Sequence, residues 1–263
     1  MRLTDLGDYW RVRRLAANPW EVVRFRKARR PRGVLEVRLR DGKPIYLRSG
    51  FSDFHLFQRI FLQDEYRLGR LAGTQADCIV DLGANVGLFA ARASAVARRV
   101  VAYEPVLRNF ECLERNVARR PNVVAVREAV AGSPGRLRIH HPEEEGRSAS
   151  YSSFLPGRSP RPGRFEEVGA VTLDDVFERH GITRCDLLKI DVEGQEYEIL
   201  HGASASVLER TLRIHGEYHD VGGEDPRTRI GGLAALLRAG GFEVEVLAHA
   251  RRPNHGKLFA SRA

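Results

Sequence analysis

The sequence predicts an α/β protein with a mostly parallel sheet, covered by helices on both faces and preceded by a helical and hairpin extension. From residue 77 onward, short apolar runs alternate with segments of helical periodicity. Such alternation is typical of a parallel sheet between two layers of helices. The earlier residues show helical patterns and one hairpin signal instead. We therefore divide the chain into a basic extension, residues 1–70, and a main domain, residues 71–263.

The extension contains three predicted features. Apolar positions between charges predict helical structure over residues 1–35. Asp41-Gly42, between two alternating segments, predicts a hairpin. Ser52 is a plausible helix N-cap. It is followed by an apolar stripe that is typical of core packing and that we also consider as a roof over a site: Phe54, Phe57 and Phe61.

The main domain is predicted to alternate strands and helices. The strands are expected at 78–82, 99–103, 122–128, 185–190, 211–218 and 242–247. The helices are expected near 87–97, 106–119, 173–180, 194–209 and 228–240. An insertion at about 132–170 resembles a hairpin with a long, polar, proline-rich connection, and such loops are often functional. Its Tyr151, Ser152 and Ser153 are candidates for an acceptor pocket, although a solvated loop is the alternative.

Charge is concentrated at the N-terminus. Residues 1–40 hold 12 Lys+Arg and 4 Asp+Glu, whereas the remaining residues hold 31 and 30. Two interpretations remain open: a solvated helix face, or peripheral contact with an anionic partner such as phospholipid headgroups, a phosphorylated substrate or nucleic acid. Few aromatic residues accompany these charges, which disfavours nucleic acid.

Cysteine usage and hydropathy indicate the compartment. The three cysteines are far apart and form no CxxC pair, which favours buried thiols over disulfides or a zinc site. No apolar run reaches the length of a transmembrane helix, and the N-terminus lacks the apolar core of a signal peptide. A cytoplasmic protein is therefore expected.

The stretch "VDLGANVGLFA" marks a candidate nucleotide site where a strand turns into a helix. Gly83 allows a tight turn and close approach of a ligand to the backbone, and Gly87 allows close helix–strand packing. The turn lacks the G-x-G-x-x-G pattern of dinucleotide-binding folds. An ordinary α/β turn with a capping aspartate is the alternative.

Two acidic residues distinguish between possible nucleotides. Asp81, at the end of a buried strand, would repel a pyrophosphate but suits an ammonium group. Glu104 ends the next strand and lies 23 residues after Asp81, where an acidic residue binds ribose hydroxyls. One ribose and one ammonium group, without a phosphate cradle, describe S-adenosylmethionine rather than NAD or ATP.

Several stretches together resemble FkbM-type S-adenosylmethionine-dependent methyltransferases: "VDLGANVGLFA", "AYEP", "EAVAG", "LLKIDVEGQEYEILHGA" and "HGEYHD". The resemblance covers about residues 50–220. It implies the class I methyltransferase fold, a Rossmann-like three-layer sandwich whose seven-stranded sheet contains one antiparallel strand. It also implies methylation of hydroxyls on secondary metabolites or sugars, with the residues matching Asp191 and Glu193 beside the reacting methyl group.

Ligands of such folds lie beyond the carboxyl ends of the strands, which assigns the cofactor contacts. Glu104 is predicted to hold the ribose, and Glu128 to accept from the adenine amine unless it is only a solvated carboxylate beside Arg127. The other predicted cofactor contacts are Asp81, Gly83, Ala84, Asn85, Gly87, Pro105, Ala129 and Asp191.

Methyl transfer to an alcohol requires a group that takes the proton. His219 is our first choice of general base, oriented by Glu217, and Asp191 is the second. The same three residues could instead hold a divalent cation that acidifies the acceptor, but no metal is predicted. Glu193 is read as the cap of the following helix and Lys189 as a packed strand residue.

The leading function is O-methylation of a small molecule. Two alternatives remain: a nucleic-acid methyltransferase that uses the basic extension, and a non-catalytic cofactor-binding module. The chain lacks the [DNS]-P-P-[FYW] motif of amine methylation after the fourth strand, which disfavours the first alternative. The acidic residues Asp81 and Glu104 are retained, which disfavours the second.

Overall fold

A computed structural model describes residues 3–27, 33–140, 165–220, 229–250 and 252–262. The candidate acceptor residues Tyr151, Ser152 and Ser153 lie outside these ranges. The described part confirms the α/β class. None of its helices has the length and hydropathy needed to cross a bilayer.

The extension begins with two helices rather than continuous helical structure over residues 1–35. The elements are α1 (Leu3–Leu15), α2 (Pro19–Lys27), β1 (Val34–Val37), β2 (Ile45–Arg48), α3 (Asp53–Phe57), a π-helical turn (Gln58–Leu62) and a 3-10 turn (Leu68–Leu71). Asn18 interrupts the helices because its side chain bonds the hairpin: it donates to the Glu36 carbonyl at 2.8 Å and accepts from the Arg38 amide at 2.9 Å. Strands β1 and β2 pair antiparallel, as predicted.

The main domain follows the predicted alternation. Its elements are β3 (Ala76–Leu82), α4 (Leu88–Ala93), β4 (Ala97–Tyr103), α5 (Leu107–Val117), β5 (Val123–Val126), β6 (Ala129–Val130), β7 (Gly135–His140), β8 (Phe165–Val171), α6 (Leu173–Arg179), β9 (Leu187–Ile190), α7 (Glu196–Gly202), α8 (Ala205–Glu209), β10 (Arg213–His219), α9 (Ile230–Ala239), β11 (Glu243–His249) and β12 (Arg252–Ser261).

The main sheet has seven strands in the order β11-β12-β10-β9-β3-β4-β5. Strand β12 runs antiparallel to both neighbours, and the pairs from β10 to β5 are parallel. The chain proceeds outward from β3 to β5 and then crosses to β9 on the other side. A crevice is expected at the carboxyl ends of β3 and β9, where the strand order reverses.

Two predicted elements need correction. The helix expected at 194–209 is two helices, because Ser204 caps α8 by accepting from the Val207 amide at 3.3 Å. Strand β12 was not predicted, since Pro253 and Gly256 interrupt its apolar pattern. The predicted hairpin in the insertion is confirmed: β7 pairs antiparallel with β8, and β6 joins β8 in a small second sheet.

The sheet has an apolar cluster on each face. One cluster joins Val12, Ile45 and Phe57 of the extension to Ile79 and Leu113 of the main domain. The other packs against α6, α7 and α9. The extension therefore shares a core with the sheet and brings α3 over its carboxyl edge.

Candidate active site

A cavity lies at the carboxyl ends of β3, β4 and β9 and encloses about 850 Å³, its open mouth included. Seven residues predicted to contact the cofactor line it: Gly83, Ala84, Asn85, Glu104, Pro105, Ala129 and Asp191. The structure thus brings them together, while their contact with a ligand stays a prediction.

The turn after β3 forms the floor of the cavity. Gly83 has φ +70°, and a Cβ there would lie 1.9 Å from the Asp191 carbonyl oxygen, so this position requires glycine. Gly87 also has positive φ, but it contacts helix α5, where a Cβ would lie 2.4 Å from Leu113. Gly87 does not line the cavity, and its contact with the ligand stays a prediction.

Glu104 is 5% exposed and connects two backbone segments of the cavity wall. Its carboxylate accepts from the Asn85 amide at 2.8 Å and from the Val106 amide at 3.0 Å. Burial, partly offset by these hydrogen bonds, raises the pKa of Glu104 to about 7. A carboxyl group placed to accept from ligand hydroxyls therefore titrates near neutral pH.

Asp81 does not line the cavity and needs correction. It is fully buried, and its carboxylate forms an ion pair with the Lys189 ammonium at 3.0 Å. Lys189 also donates to the carbonyls of Leu82 and Gly83, at 3.1 and 2.7 Å. The cation that Asp81 faces is thus Lys189 of the protein itself. This ion pair stabilises the turn after β3 through the hydrogen bonds of Lys189.

The side of the cavity towards β6 is apolar. It is lined by Val106, Ala129, Val130 and Ile139. Glu128 is not part of this lining: Arg179 donates to its carboxylate at 2.8 Å. Its contact with an adenine amine stays a prediction, which this ion pair with Arg179 disfavours.

The roof comes from α3 and the π-helical turn, through Leu56 and Ile60. The aromatic stripe considered for this role packs into the core instead, with the Phe57 and Phe61 rings stacked at 5.3 Å. A single π-helical turn frequently accompanies a functional site. The nearby Tyr66 hydroxyl donates to Asp191 at 2.9 Å and so connects the roof to β9.

The turn after β9 carries Asp191 and Glu193, both of which line the cavity. Glu193 has φ +52° and keeps 24% of its side chain exposed. Burial, opposed by the His219 charge and reinforced by the neighbouring carboxylates, raises the pKa of Glu193 to about 7. Glu193 is thus a cavity residue, rather than only the helix cap that its position suggested.

Glu196 organises this turn and was not singled out from the sequence. It is 1% exposed and accepts from the Val192 amide at 3.2 Å and the Gly194 amide at 3.0 Å. It also bonds His219 Nδ1 at 2.8 Å. The available signal was an acidic residue at the first position of a helix, where backbone amides are unpaired.

His219 lies behind the cavity wall, 3% exposed as a side chain. Its Nε2 is 3.6 Å from Glu193 and 3.8 Å from Glu217. Burial would lower the pKa of His219, but the hydrogen bond to Glu196 and the adjacent carboxylates raise it to about 9. The role of His219 as general base stays a prediction, and these neighbours disfavour it because an imidazolium has no free lone pair.

Glu217 does not orient His219. It bonds Arg59, and the Lys257 ammonium donates to it at 2.6 Å. Burial opposes ionisation, but Lys257 and Arg59 lower the pKa of Glu217 to about 2. The orienting group is Glu196, and Glu217 instead binds the extension to β12.

The metal alternative named Asp191, Glu217 and His219, but the structure groups Asp191, Glu196 and His219, with potential ligand atoms within 4.8 Å of one another. Both Glu196 oxygens already accept backbone amides, and Glu217 is held by two cations. A metal would have to displace these bonds. The donor set therefore does not fit a metal, and no step is derived through one.

Three features define an S-adenosylmethionine-dependent methyltransferase of class I. They are the strand order, the glycine turn after β3 and the acidic residue after β4. Residues 81–244, more than half of the chain, match the family model of the methyltransferase FkbM domain. The chain belongs to this family.

Two curated relatives and one solved structure show the range of similarity. The chain is 28% identical over 239 residues to 31-O-demethyl-FK506 methyltransferase FkbM of Streptomyces tacrolimicus, covering 80% of this chain and 90% of the relative. It is 26% identical over 166 residues to hexuronic acid methyltransferase AglP of Haloferax volcanii, covering 63% and 64%. The crystal structure of methyltransferase FkbM from Methylobacillus flagellatus superposes with a TM-score of 0.49 at 14% identity, covering 98% of this chain and 59% of that one.

Proposed function

We propose that the protein methylates a hydroxyl group of a small molecule, with Glu193 as the general base. One observation carries the proposal: a partly exposed carboxylate in the cavity wall has a pKa of about 7. General bases work best when their pKa lies near the operating pH. An alcohol must lose its proton during methylation, and Glu193 is suited to accept it.

The cavity fits the cofactor on the evidence of its own residues. The missing side chain at Gly83 opens the floor, Glu104 presents a buried carboxylate for ribose hydroxyls, and the apolar side at Ala129 suits adenine. When bound, S-adenosylmethionine supplies a methyl group on a cationic sulfonium. Asp191 and Glu193 give this part of the cavity a negative charge that favours a cationic ligand.

His219 and Glu196 are proposed to position the base. Glu196 fixes the imidazolium through Nδ1, and Nε2 then faces Glu193 from behind the cavity wall. The positive charge favours the ionised, proton-accepting form of Glu193. Burial and the neighbouring carboxylate of Asp191 have the opposite effect, and together these influences put the Glu193 pKa at about 7.

The acceptor class is supported by the roof and by the relatives. Leu56 and Ile60 offer an apolar surface at the cavity. The relatives' names refer to 31-O-demethyl-FK506 and to a hexuronic acid, both small molecules. We therefore propose a hydroxylated secondary metabolite or sugar acid as the acceptor.

The first experiment measures methyl transfer from radiolabelled S-adenosylmethionine to two hydroxyl acceptors, 31-O-demethyl-FK506 and a hexuronic acid. It compares them with analogues in which an amine replaces the hydroxyl. We expect transfer to a hydroxyl and a pH–rate profile with an acid limb near pH 7. Glu193→Gln should lower kcat roughly a hundredfold or more, because it removes the base, and should leave cofactor affinity unchanged.

Glu198→Gln is the matched control, because Glu198 is an exposed residue of α7 near the same turn. It should retain wild-type kcat and pH profile. Transfer only to the amine analogues would refute O-methylation. Full activity of Glu193→Gln towards a hydroxyl would refute the base assignment and leave Asp191 as the next residue to replace.

A further inference from the structure

The two N-terminal helices expose a continuous aromatic surface. Trp10 of α1 is 55% exposed and Trp20 of α2 is 42% exposed. The Tyr9 ring stacks on Trp20 at 4.2 Å and meets Trp10 edge-on at 5.7 Å. We call these three rings the aromatic patch. Large exposed rings gathered in one place mark interaction surfaces more often than rings scattered singly.

Exposed arginines lie on the same two helices as the aromatic patch. Arg11, Arg13 and Arg14 of α1 and Arg24 of α2 are all exposed. The Arg13 guanidinium also lies 4.9 Å from the centre of the Trp10 ring. We call these four residues the arginine rim. They belong to the part of the sequence with a surplus of eight positive charges, whereas the rest of the chain is almost neutral.

The aromatic patch faces away from the core because other side chains of the same two helices pack into it. Val12 of α1, Ala16 just after that helix and Val22 of α2 are at most 1% exposed and join the core beneath the sheet. The helices therefore dock through these aliphatic side chains, and Trp10 and Trp20 stay outside the core.

We propose that the aromatic patch and the arginine rim bind the surface of an anionic lipid bilayer. Tryptophan rings favour the headgroup region, and nearby arginines are attracted to anionic lipids. Since α1 and α2 span 13 and 9 residues, they are too short to cross a bilayer, and the contact is peripheral.

The ring arrangement favours a bilayer over nucleic acid. Bases bind single-strand-binding proteins by stacking on free aromatic faces. Here one face of Trp20 is covered by Tyr9, and the Arg13 guanidinium lies against the Trp10 ring. Insertion among headgroups needs exposed ring edges rather than free faces.

The test uses the full chain and vesicles of phosphatidylcholine with or without phosphatidylglycerol. The chain has two tryptophans, both in the aromatic patch, so their fluorescence reports directly on this surface. We expect co-sedimentation with the anionic vesicles, a blue shift of the emission, and a loss of binding at high salt. Binding to the neutral vesicles should be at least about tenfold weaker.

Two variants test the rim. The triple substitution Arg11→Gln, Arg14→Gln and Arg24→Gln should weaken binding to anionic vesicles roughly a hundredfold, because three near-surface charges are lost. A control triple removes the same charge elsewhere, at the exposed positions Arg70, Arg119 and Arg136, and should change binding less than about threefold. Methyl transfer to a soluble acceptor should be unchanged in both variants, so this proposal and the proposed function can fail separately.

Three outcomes would overturn the proposal. Equal weakening by the two triple variants would indicate non-specific charge attraction. Vesicle binding without a change in tryptophan emission would place the contact elsewhere on the chain. Binding to single-stranded RNA with quenched emission, and none to anionic vesicles, would assign the surface to nucleic acid.

Discussion

At the scale of single residues, the predicted contact of Glu104 with the cofactor leads us to expect pH-dependent binding. Burial raises the pKa of Glu104 to about 7, so much of the free protein carries a neutral carboxyl below that pH. Hydroxyls of a bound ribose would donate to the ionised form. Affinity for S-adenosylmethionine should therefore rise about tenfold from pH 5.5 to pH 7, with proton release at the acidic end, as calorimetry in buffers of different ionisation enthalpy would measure.

Two variants isolate this effect. Glu104→Gln should weaken binding at pH 7 by roughly tenfold or more, through the loss of charge-assisted hydrogen bonds, and should remove the pH dependence. Glu128→Gln removes a carboxylate that is paired with Arg179 outside the cavity and should behave as wild type. A flat pH dependence in the wild-type protein would show that Glu104 does not hold the cofactor.

Residue types and spacing predicted which side chains meet at the cavity but not their protonation. Glu104 and Asp191 follow buried strands, and the fold places both in the lining as expected. The role of His219 depends on its burial against Glu196 and Glu193, which come from another element. Spacing along one strand suggested Glu217 as its partner, whereas Lys257, some 40 residues later, occupies that carboxylate.

At the scale of elements, the turn from β3 to α4 depends on glycine. Gly83→Ala would add a Cβ 1.9 Å from the Asp191 carbonyl oxygen at φ +70°, where rigid backbone must move. We expect the free energy of unfolding to fall by about 3 kcal/mol, from backbone strain and overpacking together. Urea denaturation would measure this loss, and calorimetry the accompanying loss of cofactor binding.

Gly73→Ala provides the matched comparison. Gly73 also has positive φ, at +86°, but no atom lies within 4 Å of an added Cβ. It should cost only about 1 kcal/mol, the penalty of the left-handed conformation, and leave cofactor binding intact. An equal loss of stability in both variants would mean that the contact with β9 contributes nothing.

Elements with strong periodicity were predicted well, and those fixed by distant contacts were not. Strands β3, β4 and β9 contain the apolar runs 78–80, 100–103 and 187–188, as expected of strands buried on both faces. Strand β12 has no such pattern and forms because the edges of β10 and β11 leave a place between them. The π-helical turn likewise has no signal in the sequence, since it depends on how the roof meets the sheet.

At the scale of the whole molecule, the extension and the main domain behave as one packed body. Arg120, 2% exposed, donates to the carbonyls of Ala91 and Asn116 in the main domain and of Lys43 and Pro44 in the hairpin turn. The boundary that the sequence suggests at residue 70 marks a change in the pattern of apolar residues. It does not separate two independently packed parts. Composition could not reveal that a buried arginine and a shared apolar cluster join the two parts.

This joint core predicts cooperative unfolding. Fluorescence of Trp10 and Trp20 reports on the extension, and far-UV circular dichroism reports mainly on the sheet and its helices, so both should give the same urea midpoint. Arg120→Met should lower both midpoints together, by about 3 kcal/mol, because carbonyls of both parts lose their donor in a buried site. Arg119→Met, at an exposed neighbouring position, should change stability by less than about 0.5 kcal/mol. If the tryptophan transition instead precedes the circular dichroism transition, the extension is a separate folding unit, and the shared apolar cluster does not couple it to the sheet.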